Sequence, residues 1–103
     1  MEVEYADEEL EDLEFNTRPK GNYSIPIEKA FRKRVGAIRA ASNTLDLYKY
    51  RGNKFEKLAG DRQGQHSLIL TGNYRLIVEV IETESKEKIK IIEIVDYLSL
   101  IHI

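Results

Sequence analysis

Two hydrophobic periods run through the chain, and the change between them divides it into a helical first part and an extended second part. Val3 and Tyr5 alternate with Glu2 and Glu4, as on a short strand with one face inward. Asp7 carries the side chain to cap a helix running to about Phe15, with Leu10 and Leu13 on its inner side. Asn16 to Asn22 contains Pro19 and Gly21 and reads as a loop. Pro26 suits the first turn of a second helix, where its missing N–H would have no partner. Ile27, Phe31, Val35 and Ile38 follow at spacings of four, four and three, which makes one buried stripe. Lys29, Arg32 and Lys33 fall on the opposite side, and Arg34 and Arg39 flank the stripe. The helix is expected to fade near Ala41 to Asn43.

Beyond Asn43 the period becomes extended. Leu45 and Leu47 read as hydrophobic pins in a connecting stretch, and Lys54 to Leu58 as a short strand. His66 to Leu70 is a strand, Thr71-Gly72-Asn73 a turn, and Tyr74 to Glu82 the longer partner strand. A polar bend around Thr83 to Glu87 leads into a last strand, Ile89 to Val95. Its apolar residues fall on both faces, Ile89, Ile91 and Val95 on one and Ile92 and Ile94 on the other, which predicts an interior strand. The expected fold is α+β, with two N-terminal helices packed on a twisted antiparallel sheet in the order β-α-α-β-β-β. Residues 1–103 are expected to form one domain.

Composition narrows the chemistry. The absence of cysteine removes disulfide, thiolate–metal and cysteine-nucleophile readings, and His66 and His102 are too few for a histidine metal site. Apolar runs are far short of a spanning helix and the amino terminus is acidic, so a cytoplasmic protein with no membrane partner is expected. The net charge of −2 conceals an asymmetry: residues 1–14 hold eight acids and no base, and the rest holds 16 bases against 10 acids. Such a body fits a polyanion-binding face, and equally an average domain with a solvated acidic helix.

The candidate chemistry centres on two arginines. In Gly60-Asp61-Arg62-Gln63-Gly64 the glycines suit positive-φ positions of a tight turn that projects Arg62. Arg75 shares a strand face with Ile77, Glu79 and Ile81. It could pair with Glu79 or Asp61, or offer its planar fork to phosphate oxygens. Lys29, Arg32 and Lys33 are either a solvated helix face or a surface that steers an RNA backbone. Asp96 and Tyr97 follow the last strand, either capping a turn and closing the core edge, or giving a stacking platform and proton-transfer group. His66 alternates with Leu68 and Leu70 and reads as a packed ring rather than a base. No glycine-rich nucleotide loop, metal-ligand spacing or serine–histidine–acid set is present.

An ordered set of motifs resembles the RelE/ParE superfamily of bacterial toxins. It begins with Val3-Glu4-Tyr5-Ala6-Asp7, Leu10 and Leu13, followed by Ala30-Phe31-Arg32-Lys33-Arg34 and Ile38-Arg39-Ala40-Ala41. Phe55-Glu56-Lys57-Leu58, Gly60-Asp61-Arg62, Gly64-Gln65, Ser67, Tyr74-Arg75-Leu76-Ile77 and Ile92 to Tyr97 narrow the resemblance to the HigB-like branch. The resemblance implies a RelE-like fold and a ribosome-dependent messenger-RNA endoribonuclease, acting by 2′-OH transesterification without metal or other cofactor. It implies that Arg62 and Arg75 stabilise charge on the scissile phosphate, with Lys57 assisting. Asp96 and Tyr97 fill the first two places of the family's closing Asp-Tyr-His, and Leu98 stands where the histidine belongs, so cleavage is expected to be weak or absent. The implied partners are the ribosome, messenger RNA and a HigA-like helix-turn-helix antitoxin, with operator DNA reached only through that antitoxin. The competing expectation is a non-catalytic module of the same fold, a ParE-like gyrase inhibitor or an antitoxin- or RNA-binding protein.

Overall fold

A computed structural model describes residues 1–15 and 23–100. The loop expected over 16–22 and the end of the apolar tail, with His102, lie outside the described residues. The elements run β1 (Glu2–Tyr5), α1 (Glu8–Phe15), α2 (Ile25–Ala40), α3 (Thr44–Lys49), β2 (Glu56–Lys57), β3 (Gln65–Ile69), β4 (Tyr74–Glu82), β5 (Glu87–Asp96) and α4 (Tyr97–Leu100). Short 3-10 turns at Arg51–Asn53 and Gly60–Arg62 flank β2.

The helix ends form as their side chains direct. Asp7 Oδ1 accepts from the Leu10 amide at 3.0 Å, and Ser24 Oγ accepts from Ile27 at 3.4 Å with Pro26 in the first turn. All four residues of the α2 stripe are buried, and Phe31, Val35 and Ile38 are sealed completely. They meet Leu10 and Leu13 of α1 and Leu68, Leu76, Val78, Ile89 and Ile91 of the sheet in one cluster.

The sheet order is β1-β5-β4-β3-β2. The sheet is mixed rather than wholly antiparallel: β2 to β5 form an antiparallel meander, and β1 runs parallel to β5 from Glu2↔Lys88 to Tyr5↔Ile91. That pairing makes β5 an interior strand as expected, but its two faces are not both apolar: Ile89, Ile91 and Ile94 lie on the core side, and Lys88, Lys90, Glu93 and Val95 on the other. Three other expectations are corrected. Thr44–Lys49 is a helix, capped by Asn43 Oδ1 on the Asp46 amide, and of its two leucines only Leu47 is buried whereas Leu45 is exposed. The strand expected over Lys54 to Leu58 shrinks to Glu56–Lys57.

The third correction shapes the site. Ile77 pairs with Glu93 but its neighbour Val78 pairs with Ile91, so Ile92 is the extra residue of a β-bulge. Facing pairs share a side of the sheet. Ile94 therefore joins Ile89 and Ile91 on the core side opposite Leu76, and Val95 lies on the other face opposite Arg75, the reverse of the expected faces for both. Without the bulge Glu93 would point at the core.

Candidate functional site

The face away from the helices carries Gln65, Ser67 and Ile69 from β3, Arg75, Ile77 and Glu79 from β4, and Glu93 and Val95 from β5. The loop before β3 lays Arg62 across it. Gly60 (φ 64°) and Gly64 (φ 92°) take the left-handed backbone that lets the chain turn at both ends of this loop. Arg62 Nη1 donates to Gln65 Oε1 at 3.0 Å, and Nη2 donates to Glu93 Oε1 at 2.5 Å. The guanidinium thus reaches from β3 to β5, and Ser67 and Ile77 on the row between are buried. Gln65 in turn donates to Glu79 Oε1 at 3.4 Å, so Glu79 is engaged by an amide and not by Arg75.

Arg75 is held differently. Its Nη1 donates to the carbonyls of Gly72 (3.2 Å) and Tyr74 (3.1 Å), both in the β3–β4 turn. Its Cζ lies 4.7 Å from the centre of the Tyr97 ring, within cation–π range. The ring is placed by its own backbone, since the Tyr97 amide donates to the Asn73 carbonyl of the same turn. Among the described residues no carboxylate pairs with Arg75, and its Nε and Nη2 donors remain open. Two arginines on one face with an exposed phenol beside them can hold a tetrahedral anion, one cation already neutralised by Glu93 and the other not.

The other expected residues separate from this group. Asp96 ends β5 opposite Tyr74, and its Oδ1 accepts from the Leu98 amide at 3.0 Å, capping α4. Leu98 is exposed. Lys57 pairs opposite His66, on the helix side of the sheet, and it is Glu56 that lies opposite Ser67. Lys29 and Lys33 are exposed on α2, across the helix layer from Arg75. Arg32 is half-buried, its Nε donating to the Leu13 carbonyl at 3.1 Å, which ties α2 to the end of α1. His66 stacks on Phe55 at 4.7 Å and 7°, with Nδ1 buried and without a hydrogen bond among the described residues. Burial, helped by the charge of Lys57, holds its pKa below the ordinary histidine value.

Glu93 and Gln65 were not among the expected site residues. Glu93 left a trace, as the single acid inside the run Ile91-Ile92-Glu93-Ile94-Val95, where an interior strand tolerates a charge only with a partner. Its field extends beyond Arg62: burial pushes the Tyr23 phenol up, and Glu9, Asp7 and Glu93 add to the shift.

Among the described residues no helix is long and apolar enough to cross a membrane, and no cluster of three acids or histidines could hold a metal. No curated protein matches the chain. Among solved structures it is similar to the YoeB/ParE toxin from Agrobacterium tumefaciens, with a TM-score of 0.56 and 16% identity over 93% of this chain and 98% of that one. At that identity the likeness is one of fold. Residues 4–97 match the family described as the RelE-like toxin of type II toxin–antitoxin system HigB. The chain belongs to the HigB-like toxin family, whose members are the toxin halves of toxin–antitoxin pairs, and an antitoxin is its implied partner.

Proposed function

We propose that this toxin is a ribosome-dependent messenger-RNA endoribonuclease whose grip on the RNA is intact and whose proton transfer is impaired. The observation that carries the reading is Arg75, an open guanidinium on a rigid strand, backed by Tyr97 and free of any carboxylate among the described residues. In the reaction the ribose 2′-oxygen attacks the adjacent phosphorus and the P–O5′ bond breaks. The products are a 2′,3′-cyclic phosphate and a 5′-hydroxyl, which takes up the proton lost by the 2′-OH. Arg75 binds the non-bridging oxygens as their charge grows, and Arg62 joins it by exchanging Glu93 for phosphate. A single donor of this kind is typically worth about 10²- to 10³-fold in rate.

Proton transfer is the weak half. A general acid or base contributes about 10²- to 10⁴-fold, and the position where the family carries histidine holds Leu98. Asp96, occupied as the α4 cap, acts through position, and Tyr97 supplies the phenol nearest Arg75. Lys29 and Lys33 do not reach the same linkage. The antitoxin is of the HigA-like helix-turn-helix class, and operator DNA is reached through it. The toxin itself works in the cytoplasm.

The test is induction in growing cells, with mapping of cleaved transcripts on translating ribosomes. Weak or absent arrest that becomes strong arrest with new cut ends in Leu98→His, and is lost again on adding Arg75→Ala, is expected. Intact transcripts in the Leu98→His variant refute the nuclease reading.

A further inference from the structure

Lys49, Tyr50, Arg51, Lys54 and Lys57 fall within a nine-residue span at the β2 edge of the sheet, and all five are exposed. No acid among the described residues pairs with any of these four bases. Of the two acids between Thr44 and Leu58, Asp46 accepts from the Ser42 amide, and Glu56 belongs to the opposite face of β2. A run of unpartnered bases is by itself a solvated surface. The tyrosines make it more than that.

Tyr48 and Tyr50 are half-exposed rings held in place by the fold. Tyr48 stands edge-on to Phe55 at 4.7 Å, and Phe55 is stacked on His66, so the ring is the outer member of a packed aromatic group. Tyr50 lies against Gly52 so closely that a Cβ there would come within 2.8 Å of its ring. The backbone beneath is fixed in turn. Asn53 is buried, donates to the Leu47 carbonyl at 3.2 Å and accepts from Arg34 at 3.1 Å, while Lys54 takes a left-handed conformation (φ 44°). Rings that lose little freedom on contact, surrounded by cations, suit a strand whose bases are unpaired and can stack while its phosphates meet lysine and arginine.

We propose that this edge, with Tyr48 and Tyr50 among Lys49, Arg51, Lys54 and Lys57, is a second RNA-binding surface that takes a single-stranded segment outside the Arg62–Arg75 face. It deepens the proposed function by giving the same toxin a separate hold on RNA. Duplex RNA fits it less well, because stacked and paired bases cannot reach the rings.

The experiment uses the purified full chain and a fluorescent oligouridylate of about 12 nucleotides, with a duplex of equal length, titrated over a series of salt concentrations. The triple variant Lys49→Gln/Arg51→Gln/Lys57→Gln is expected to reduce the log–log salt slope for the single strand by about 2, at about 0.7 per lost phosphate contact. Tyr50→Ala should weaken single-strand binding about 5- to 150-fold, as for a lost base–aromatic stack, and leave duplex binding unchanged. Gly52→Ala, which displaces the Tyr50 ring while keeping it, should give a smaller loss in the same direction. Melting temperatures near that of the parent show that the variants are folded. An unchanged slope in the triple variant, or equal losses on single strand and duplex in Tyr50→Ala, overturns the inference, whatever the surface does toward an acidic protein. Transcript mapping separates the two readings. Cut ends that persist while the patch variants bind RNA normally remove this surface alone, and normal losses in the patch variants with no cut ends in Leu98→His remove the nuclease alone.

Discussion

Glu93→Gln isolates what the carboxylate does on the Arg62–Arg75 face of the sheet. Glu93 is the anion that Arg62 holds at rest, so a phosphate arriving there must compete with it and meets its repulsion. The amide keeps the shape and an oxygen acceptor for Nη2 while removing the charge. Both partners are partly exposed, with side chains 24% and 43% accessible, so solvent screens the pair and its worth lies in the range of about 0.2–1 kcal/mol. Releasing Arg62 should therefore tighten RNA binding by up to about fivefold, since 1.4 kcal/mol corresponds to about tenfold. The salt slope should steepen by about 0.7, the signature of one further phosphate contact on a single strand. The melting temperature should fall by no more than about 4–8 °C for a domain of this size. The assay is oligonucleotide anisotropy across a salt series, with a thermal melt of the same samples. Folded Glu93→Gln that binds RNA no better, or more weakly, refutes the competition argument. A far larger drop in melting temperature would make the ion pair a structural tie, and the proposed exchange of Glu93 for phosphate would fail with it.

Three further outcomes are expected. Asn53→Ala leaves the Leu47 carbonyl and one Arg34 donor unpaired at a site 2% exposed, and should cost about 1–3 kcal/mol by denaturant unfolding. Ser24→Ala removes the α2 cap and should cost about 0.5–2 kcal/mol by the same measurement. His66 has its pKa lowered on folding, so the unfolded chain binds its proton first: the contribution is complete above the ordinary value of 6.5 and is lost as pH falls below it through the folded value. Replacing His66 by Phe, which keeps the stack on Phe55, should flatten that part of the melting-temperature profile, and an unflattened profile assigns the acid sensitivity elsewhere.

What could be read from the residues depended on how local the cause was. The α2 stripe and the limits of β4 were legible because each has its cause within a few positions: a 3.6-residue period for one, a Thr71-Gly72-Asn73 turn with alternation for the other. Helix α3 was not, since six residues with only Leu47 buried offer no period to detect. The direction of β1 depends on β5, more than eighty residues away, and four residues of alternation carry no direction. The bulge at Ile92 is a property of two strands together, and missing it put both Ile94 and Val95 on the wrong face. Turn glycines and strand position singled out Arg62 and Arg75 as candidates. Their different partners, a carboxylate for one and two carbonyls with a phenol ring for the other, come from tertiary contacts no local pattern contains.

That difference in partners bears on the proposed chemistry. Arg75 sits on an interior strand, bonded to its own turn, and its position is settled before any ligand arrives, which is the condition for electrostatic stabilisation without reorganisation. Arg62 sits on a loop and is held by a screened ion pair, so it can change partners for about 1 kcal/mol or less. Under the proposed function the proton-transfer position lies on a third element, the short α4, where Leu98 contributes only an exposed apolar side chain. On that reading grip and proton transfer are carried by separate pieces of chain, and a change at residue 98 leaves the first untouched. Under the proposed function the RNA is held as firmly as with histidine present while turnover falls by about 10²- to 10⁴-fold. Leu98→His should therefore raise the rate of cutting without altering the affinity for an uncleavable 2′-deoxy oligonucleotide, whereas Arg75→Ala should lower both.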